Sequence, residues 1–147
     1  VNDNRELLVE VKDLKTYFFL DEGTVKAVDG ADFNIRRGET LGVVGESGCG
    51  KSVTARSILN IVPKPGKTVA GEILYHRKIK GAEQTLDLTQ MAPQGDEMRG
   101  IRGAEIAMVF QEPMTSLSPV HTIGNQIGEA IRLHQGLDPD TARDLAI

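Results

Sequence analysis

Eight consecutive residues, Gly45, Glu46, Ser47, Gly48, Cys49, Gly50, Lys51 and Ser52, have the spacing GxxxxGK[ST]. Such a loop handles nucleoside triphosphates. Its glycines let the backbone curl so that successive N–H groups point inward at phosphate oxygens, and the helix that follows offers its positive end to the same anion. Lys51 is placed to reach the β- and γ-phosphates, and the Ser52 hydroxyl to ligate Mg²⁺, a hard cation that takes few protein oxygens. The candidate binding set runs from Gly45 to Ser52, with Val53 at its end.

The loop needs a strand entering it and a helix leaving it. Thr40–Val44 (TLGVV) is a short apolar, β-branched run that stops at Gly45 and predicts the strand. Val53, Ala55, Ile58, Leu59 and Val62 approximate a helical stripe that Pro63 and Pro65 end. Upstream, Leu7–Leu14 alternates apolar and polar residues, and Val25–Val28 and Ala31–Ile35 predict two further short strands. Turn signals at Asp21, Glu22 and Gly23 and at Arg37 and Gly38 make this stretch an antiparallel meander. Downstream, Gly71–Arg77 reads as a strand and residues 78–94 as polar loop. Ile106–Phe110 (IAMVF) is a continuous apolar run, the pattern of a strand covered on both faces in a parallel sheet. Ile123, Ile127, Ala130, Ile131 and His134 follow at helical spacing after a Thr122 cap. Asp138 and Pro139 open another helix, expected to be still running at Ile147.

Composition narrows the function classes. A chain of 147 residues is one domain by length. With 17 basic against 21 acidic residues the net charge is −4, which argues against nucleic acid as the main partner. The apolar runs fall far short of the roughly 20 residues that span a bilayer. The polar, acidic start VNDNRELLVEV fits neither a secretory signal nor a transit peptide, so a cytosolic location is expected. Cys49, the one cysteine, cannot form an internal disulfide and reads as a small residue tolerated in the loop. His76, His121 and His134 lack metal-ligand spacing, so no metal site of protein ligands alone is expected.

A P-loop ATPase completes its Mg²⁺ shell with four apolar residues followed by Asp, usually beside a Glu that activates water. Here Ile106–Phe110 is followed by Gln111, and no other run of four apolar residues ends in an acid. Either that strand lies beyond residue 147, or the protein only binds nucleotide.

Met108 to Pro113 reads MVFQEP, an apolar strand delivering a glutamine, and this resembles the Q-loop of ABC transporter ATPases. LKTYFFLDEGTVKAVDG from Leu14, RGET from Arg37, GESGCGKSVTARSIL from Gly45 and FQEPMTSLSPVHTIGNQI from Phe110 resemble the branch that imports dipeptides and oligopeptides; nickel importers of that branch look nearly alike. The resemblance implies an α/β P-loop NTPase fold of the ABC type with an N-terminal antiparallel β-subdomain, truncated before the signature and Walker B motifs. Residues 1–39 would be mainly β-subdomain, 40–121 the P-loop core including the Q-loop, and 122–147 the start of a helical subdomain. It further implies adenine stacking on an aromatic side chain late in the first strand, with Phe18 preferred and Tyr17 its competitor. Gln111 would touch Mg²⁺ or the attacking water and sense the γ-phosphate.

The implied parent is a transport ATPase using ATP and Mg²⁺, with Lys51 and Gln111 in catalysis and Ser52 and Gln111 at the metal. It would pair with a second ATP-binding subunit and dock on permease subunits at the inner face of the membrane. The 147-residue chain itself would bind ATP without turnover. Two other readings are a soluble ABC-type ATPase of repair or translation, for which a coiled-coil insertion or basic patch is expected, and a P-loop kinase or GTPase. The latter usually starts near its P-loop, whereas 44 residues precede it here.

Overall fold

In the first strand, β1 (Leu7–Leu20), Val9 and Val11 are buried at one parity, and Leu14 and Thr16 at the other. A strand keeps alternate side chains on one face, so this pattern requires an inserted residue. The computed structural model, which describes residues 5–111 and 117–147, supplies it at Asp13, with φ +43°. Pairing with both neighbouring strands shifts register at this level. Asp13 N–H donates to Asp32 Oδ1 at 2.9 Å, which satisfies the backbone group released by the bulge.

Two glycines make room for the bulge. Gly30 in β2 (Gly23–Arg36) has φ +89°, and Gly71 in β3 (Gly66–Ile79) has φ +91°. A Cβ on Gly71 would stand 2.4 Å from the Asp13 carbonyl oxygen and 2.6 Å from Leu14 Cα. The sheet is four-stranded and antiparallel in the order β2-β1-β3-β4, with β4 at Ala82–Asp87. The two expected strands Val25–Val28 and Ala31–Ile35 are therefore one, because Gly30 bends the strand without ending its pairing. Likewise β1 runs six residues past Leu14, and β3 and β4 take up part of the stretch expected to be loop. The turns at Asp21–Glu22 and Arg37–Gly38 stand where their residues place them.

Helix α1 (Lys51–Ile58) packs on the β1–β2 hairpin. It ends before the prolines. Asn60 adopts φ +52° and Ile61 N–H donates to the Arg56 carbonyl at 3.0 Å, a left-handed C-terminal turn that satisfies the last carbonyls. Ser57 is buried, and its hydroxyl donates to the Val53 carbonyl at 2.8 Å and lies 2.8 Å from Thr16 Oγ1, itself 3.3 Å from Thr68 Oγ1. A chain of hydroxyls thus ties α1 to β1 and β3, each group partnered. Leu14, Ile73, Leu88 and Met98 are fully buried. Each contributes on the order of 1.5–3 kcal/mol.

The chain divides into two compact units, Val1–Met98 and Arg99–Ile147. Helix α2 (Asp96–Ile101) has no counterpart in the sequence reading; its first turn carries Asp96 and Glu97, which suit the positive helix end. In the second unit, α3 (Ile123–Gln135) begins at a Thr122 cap, whose Oγ1 accepts from Asn125 N–H, and ends at Gly136 with φ +65°. Helix α4 (Pro139–Leu145) is capped by Asp138, which accepts from the N–H groups of Asp140 and Thr141 at 3.1 Å. It stops at Leu145, where Ala146 closes the last turn onto the Ala142 and Arg143 carbonyls, rather than continuing to Ile147.

Two expected strands are not formed. Thr40–Val44 has no strand pairing, and within Ile106–Phe110 only Ile106 makes a single bridge, to Arg102. A strand exists through its neighbour's hydrogen bonds, and among the described residues none pairs with 40–44 or continues past Ile106. Several of their apolar side chains are consequently exposed, Val44 at 96% and Val109 at 94%.

Gly71→Ala is expected to cost about 2–4 kcal/mol, because the new methyl meets β1 backbone at a left-handed position. Gly81→Ala, at φ +84° with open space around it, should cost only about 1 kcal/mol. Urea unfolding of the two variants checks the difference.

Candidate functional site

The P-loop follows the unpaired residues 40–44 and closes on its own lysine. Lys51 Nζ donates to the carbonyls of Gly45 and Glu46, both at 2.7 Å, and lies 3.5 Å from Cys49 Sγ. Cys49 N–H reaches the Glu46 carbonyl at 3.4 Å. The ammonium is therefore the centre around which the loop is wound, with its charge held by backbone dipoles and no carboxylate in the helix's first turn.

Gly48 and Gly50 both take left-handed backbone, at φ +81° and +95°. Gly50 is required for a second reason: a Cβ there would lie 2.3 Å from the Ala27 carbonyl oxygen in β2. Backbone thus meets backbone where α1 begins. Gly50 is the N-cap, its carbonyl accepts from Thr54 N–H at 2.8 Å, and it has no side chain to occupy the helix end. By helix geometry the N–H groups of Lys51, Ser52 and Val53 have no acceptor within α1. Those donors, the glycine cradle and the Lys51 charge form a set that fits a polyphosphate. The Ser52 side chain is exposed, and Glu46, Ser47 and Cys49 are exposed around it.

The two aromatic candidates differ in what holds them. Phe18 lies over Gly66, where a Cβ would come within 2.6 Å of its ring and 2.8 Å of Val62, so it packs on the segment that follows α1. Tyr17 donates its hydroxyl to Asp29 Oδ1 at 2.5 Å, and Lys26 Nζ stands 5.3 Å from its ring centre. Tyr17 pairs across the sheet with Lys26, the neighbour of the Ala27 whose carbonyl abuts Gly50. The Asp29 carboxylate holds the Tyr17 phenol above its ordinary pKa, and the phenol's hydrogen bond holds Asp29 below the usual carboxylate range.

Gln111 belongs to the second unit, at an exposed bend. Glu112 and Pro113 of the MVFQEP phrase lie outside the described residues. Asp29, Ala27 and Thr16 escaped the sequence reading, since their importance comes from strand register and from helix docking.

A sheet-and-helix P-loop unit of this kind defines a nucleotide-binding protein of the α/β class. The family model for the ABC transporter matches residues 28–145, and the chain belongs to that family. It is 50% identical over 134 residues to a protein of Sinorhizobium fredii described as a probable peptide ABC transporter ATP-binding protein, y4tR, covering 90% of this chain and 37% of the relative. It is 44% identical over 139 residues to the dipeptide transport ATP-binding protein DppD of Bacillus subtilis, covering 94% of this chain and 38% of that one. The chain thus spans well under half the length of these relatives. Among solved structures, the ATP-binding cassette MJ0796 in a post-hydrolysis state with ADP and Pi superposes with a TM-score of 0.70 at 21% identity, covering 95% of this chain and 54% of that one. That likeness establishes the fold as the ABC type expected from the motifs.

Gly50→Ala is expected to lower nucleotide affinity by at least about tenfold, because the loop must leave Ala27 to accommodate the methyl. Gly48→Ala, strained at its φ but in open space, should lose less. Calorimetric titration with ATP ranks the two.

Proposed function

We propose that the chain is the P-loop part of an ATP-binding subunit of an ABC importer, which couples ATP binding and hydrolysis to uptake of peptides or related small solutes. The observation that carries this is the P-loop wound on Lys51 and seated against Ala27, in a chain 44–50% identical to ATP-binding proteins named for peptide and dipeptide transport. Another relative, 46% identical, is the oligopeptide transport ATP-binding protein AppD of Bacillus subtilis.

In this reading the N–H groups from Gly48 to Val53 hold the phosphates. Lys51 exchanges its two carbonyl partners for β- and γ-phosphate oxygens, which turns an internal clasp into a ligand contact. Ser52, at the open helix end, would hold Mg²⁺; that ion, when bound, neutralises phosphate charge. Gln111 would sense the γ-phosphate. The chain's contribution to hydrolysis is positioning and electrostatics, with no covalent step on the protein. Adenine would stack on Tyr17 rather than on Phe18, since the Phe18 ring is already engaged with Gly66 and Val62.

The acidic strand that completes such a site has no counterpart in residues 1–147, so this stretch alone is a nucleotide-binding module. The subunit would work with a second ATP-binding subunit and with permease subunits, at the inner face of the membrane. Among the described residues no helix is long and apolar enough to cross a membrane, in keeping with attachment through such partners.

Lys51→Ala should weaken ATP binding about 10- to 100-fold, the value of charge-assisted phosphate contacts; unchanged affinity in calorimetry would remove Lys51 from the site. The 147-residue stretch should release no phosphate from ATP above that variant. Measurable turnover would overturn its assignment as a binding module.

A further inference from the structure

Tyr17 is held by a device that packing does not require. Its hydroxyl donates to Asp29 Oδ1 at 2.5 Å, while Asp29 Oδ2 accepts from Lys26 Nζ at 3.3 Å, and the same ammonium lies over the Tyr17 ring. Hydroxyl, carboxylate and ammonium close a loop across β1 and β2. It stands on anchored neighbours: Lys26 precedes the Ala27 carbonyl that abuts Gly50, and the Thr16 hydroxyl, next to Tyr17, is hydrogen-bonded to Ser57 of α1. The ring is thus held by a hydrogen bond at its hydroxyl and an ammonium over its face.

We propose that Asp29, braced by Lys26, is a positioning residue for nucleotide binding: it fixes the Tyr17 ring, whose cross-strand partner Lys26 precedes the Ala27 that Gly50 abuts, so that adenine meets a preformed platform. This rests on the reading of Tyr17 as that platform. A phenol ring free to turn must be ordered when nucleotide arrives, and ordering one such side chain weakens binding about three- to tenfold. The Asp29 hydrogen bond orders the ring beforehand. Lys15 also lies within electrostatic reach of Asp29, so the carboxylate stays charged and available as acceptor.

The test uses the chain at its full natural length and compares ATP with inorganic tripolyphosphate, which has no base to stack. Asp29→Ala and Tyr17→Phe should each weaken ATP about three- to tenfold and leave tripolyphosphate within about twofold. The double variant should be no weaker than either single one beyond about twofold, because both remove the same bond. Asp29→Asn keeps an acceptor and should bind ATP within about twofold of the parent. In difference titration against Tyr17→Phe, the Tyr17 phenol should ionise above its ordinary range and move down in Asp29→Asn, where the repelling charge is gone.

If Asp29→Ala binds ATP like the parent while Tyr17→Ala does not, the positioning role fails and the platform stands. If Tyr17→Ala binds ATP like the parent, the platform reading itself fails. Equal loss of ATP and tripolyphosphate in Asp29→Ala would make Asp29 a structural residue and overturn the proposal.

Discussion

Everything that positions the nucleotide loop depends on the close approach of Gly50 to the Ala27 carbonyl. There the backbone starting α1 comes so near the β2 backbone that no side chain fits between them. The contact ties a loop exposed along most of its length to a sheet whose first strand carries buried residues on both sides of its bulge. The hydroxyl chain Thr68, Thr16 and Ser57 repeats the attachment further along the same helix. One end of α1 is held by steric fit and the other by hydrogen bonds.

The bulge at Asp13 serves the same end from a distance. By changing the parity of β1, it keeps Val9 and Val11 buried in one half and Leu14 and Thr16 in the other. Without it, Thr16 would turn away from α1, and its hydroxyl could not reach Ser57. Gly30 and Gly71 exist to accommodate that one inserted residue. A backbone irregularity in the sheet is therefore part of how the phosphate loop is aimed.

The setting of residues 40–44 and 106–110 belongs to the same account. These are the most strand-like apolar runs in the chain, yet among the described residues they make no strand beyond the single Ile106–Arg102 bridge, while the polar, alternating segments form the sheet. Antiparallel neighbours joined by short turns find each other locally, whereas parallel strands need partners brought from far along the sequence.

The spacing of Gly45 to Ser52 by itself pointed to a triphosphate loop, because glycine conformational freedom and a lysine charge are properties of the residues alone. Turn chemistry likewise located Asp21–Glu22, Arg37–Gly38, the Thr122 cap and the Asp138–Pro139 helix start, since each is closed by neighbours within a few residues. Strand register was not legible: the fusion of two predicted strands at Gly30, the pairing of Tyr17 with Lys26 and the meeting of Tyr17 with Asp29 depend on where one strand is set against another. Nor was the setting of Phe18 over Gly66 and Val62 and of Tyr17 beside Asp29, because adjacent residues of a strand face opposite ways. What the sequence determined was the chemistry carried by each local segment; what the tertiary structure decided was which segments became neighbours, because that depends on contacts between residues far apart along the chain.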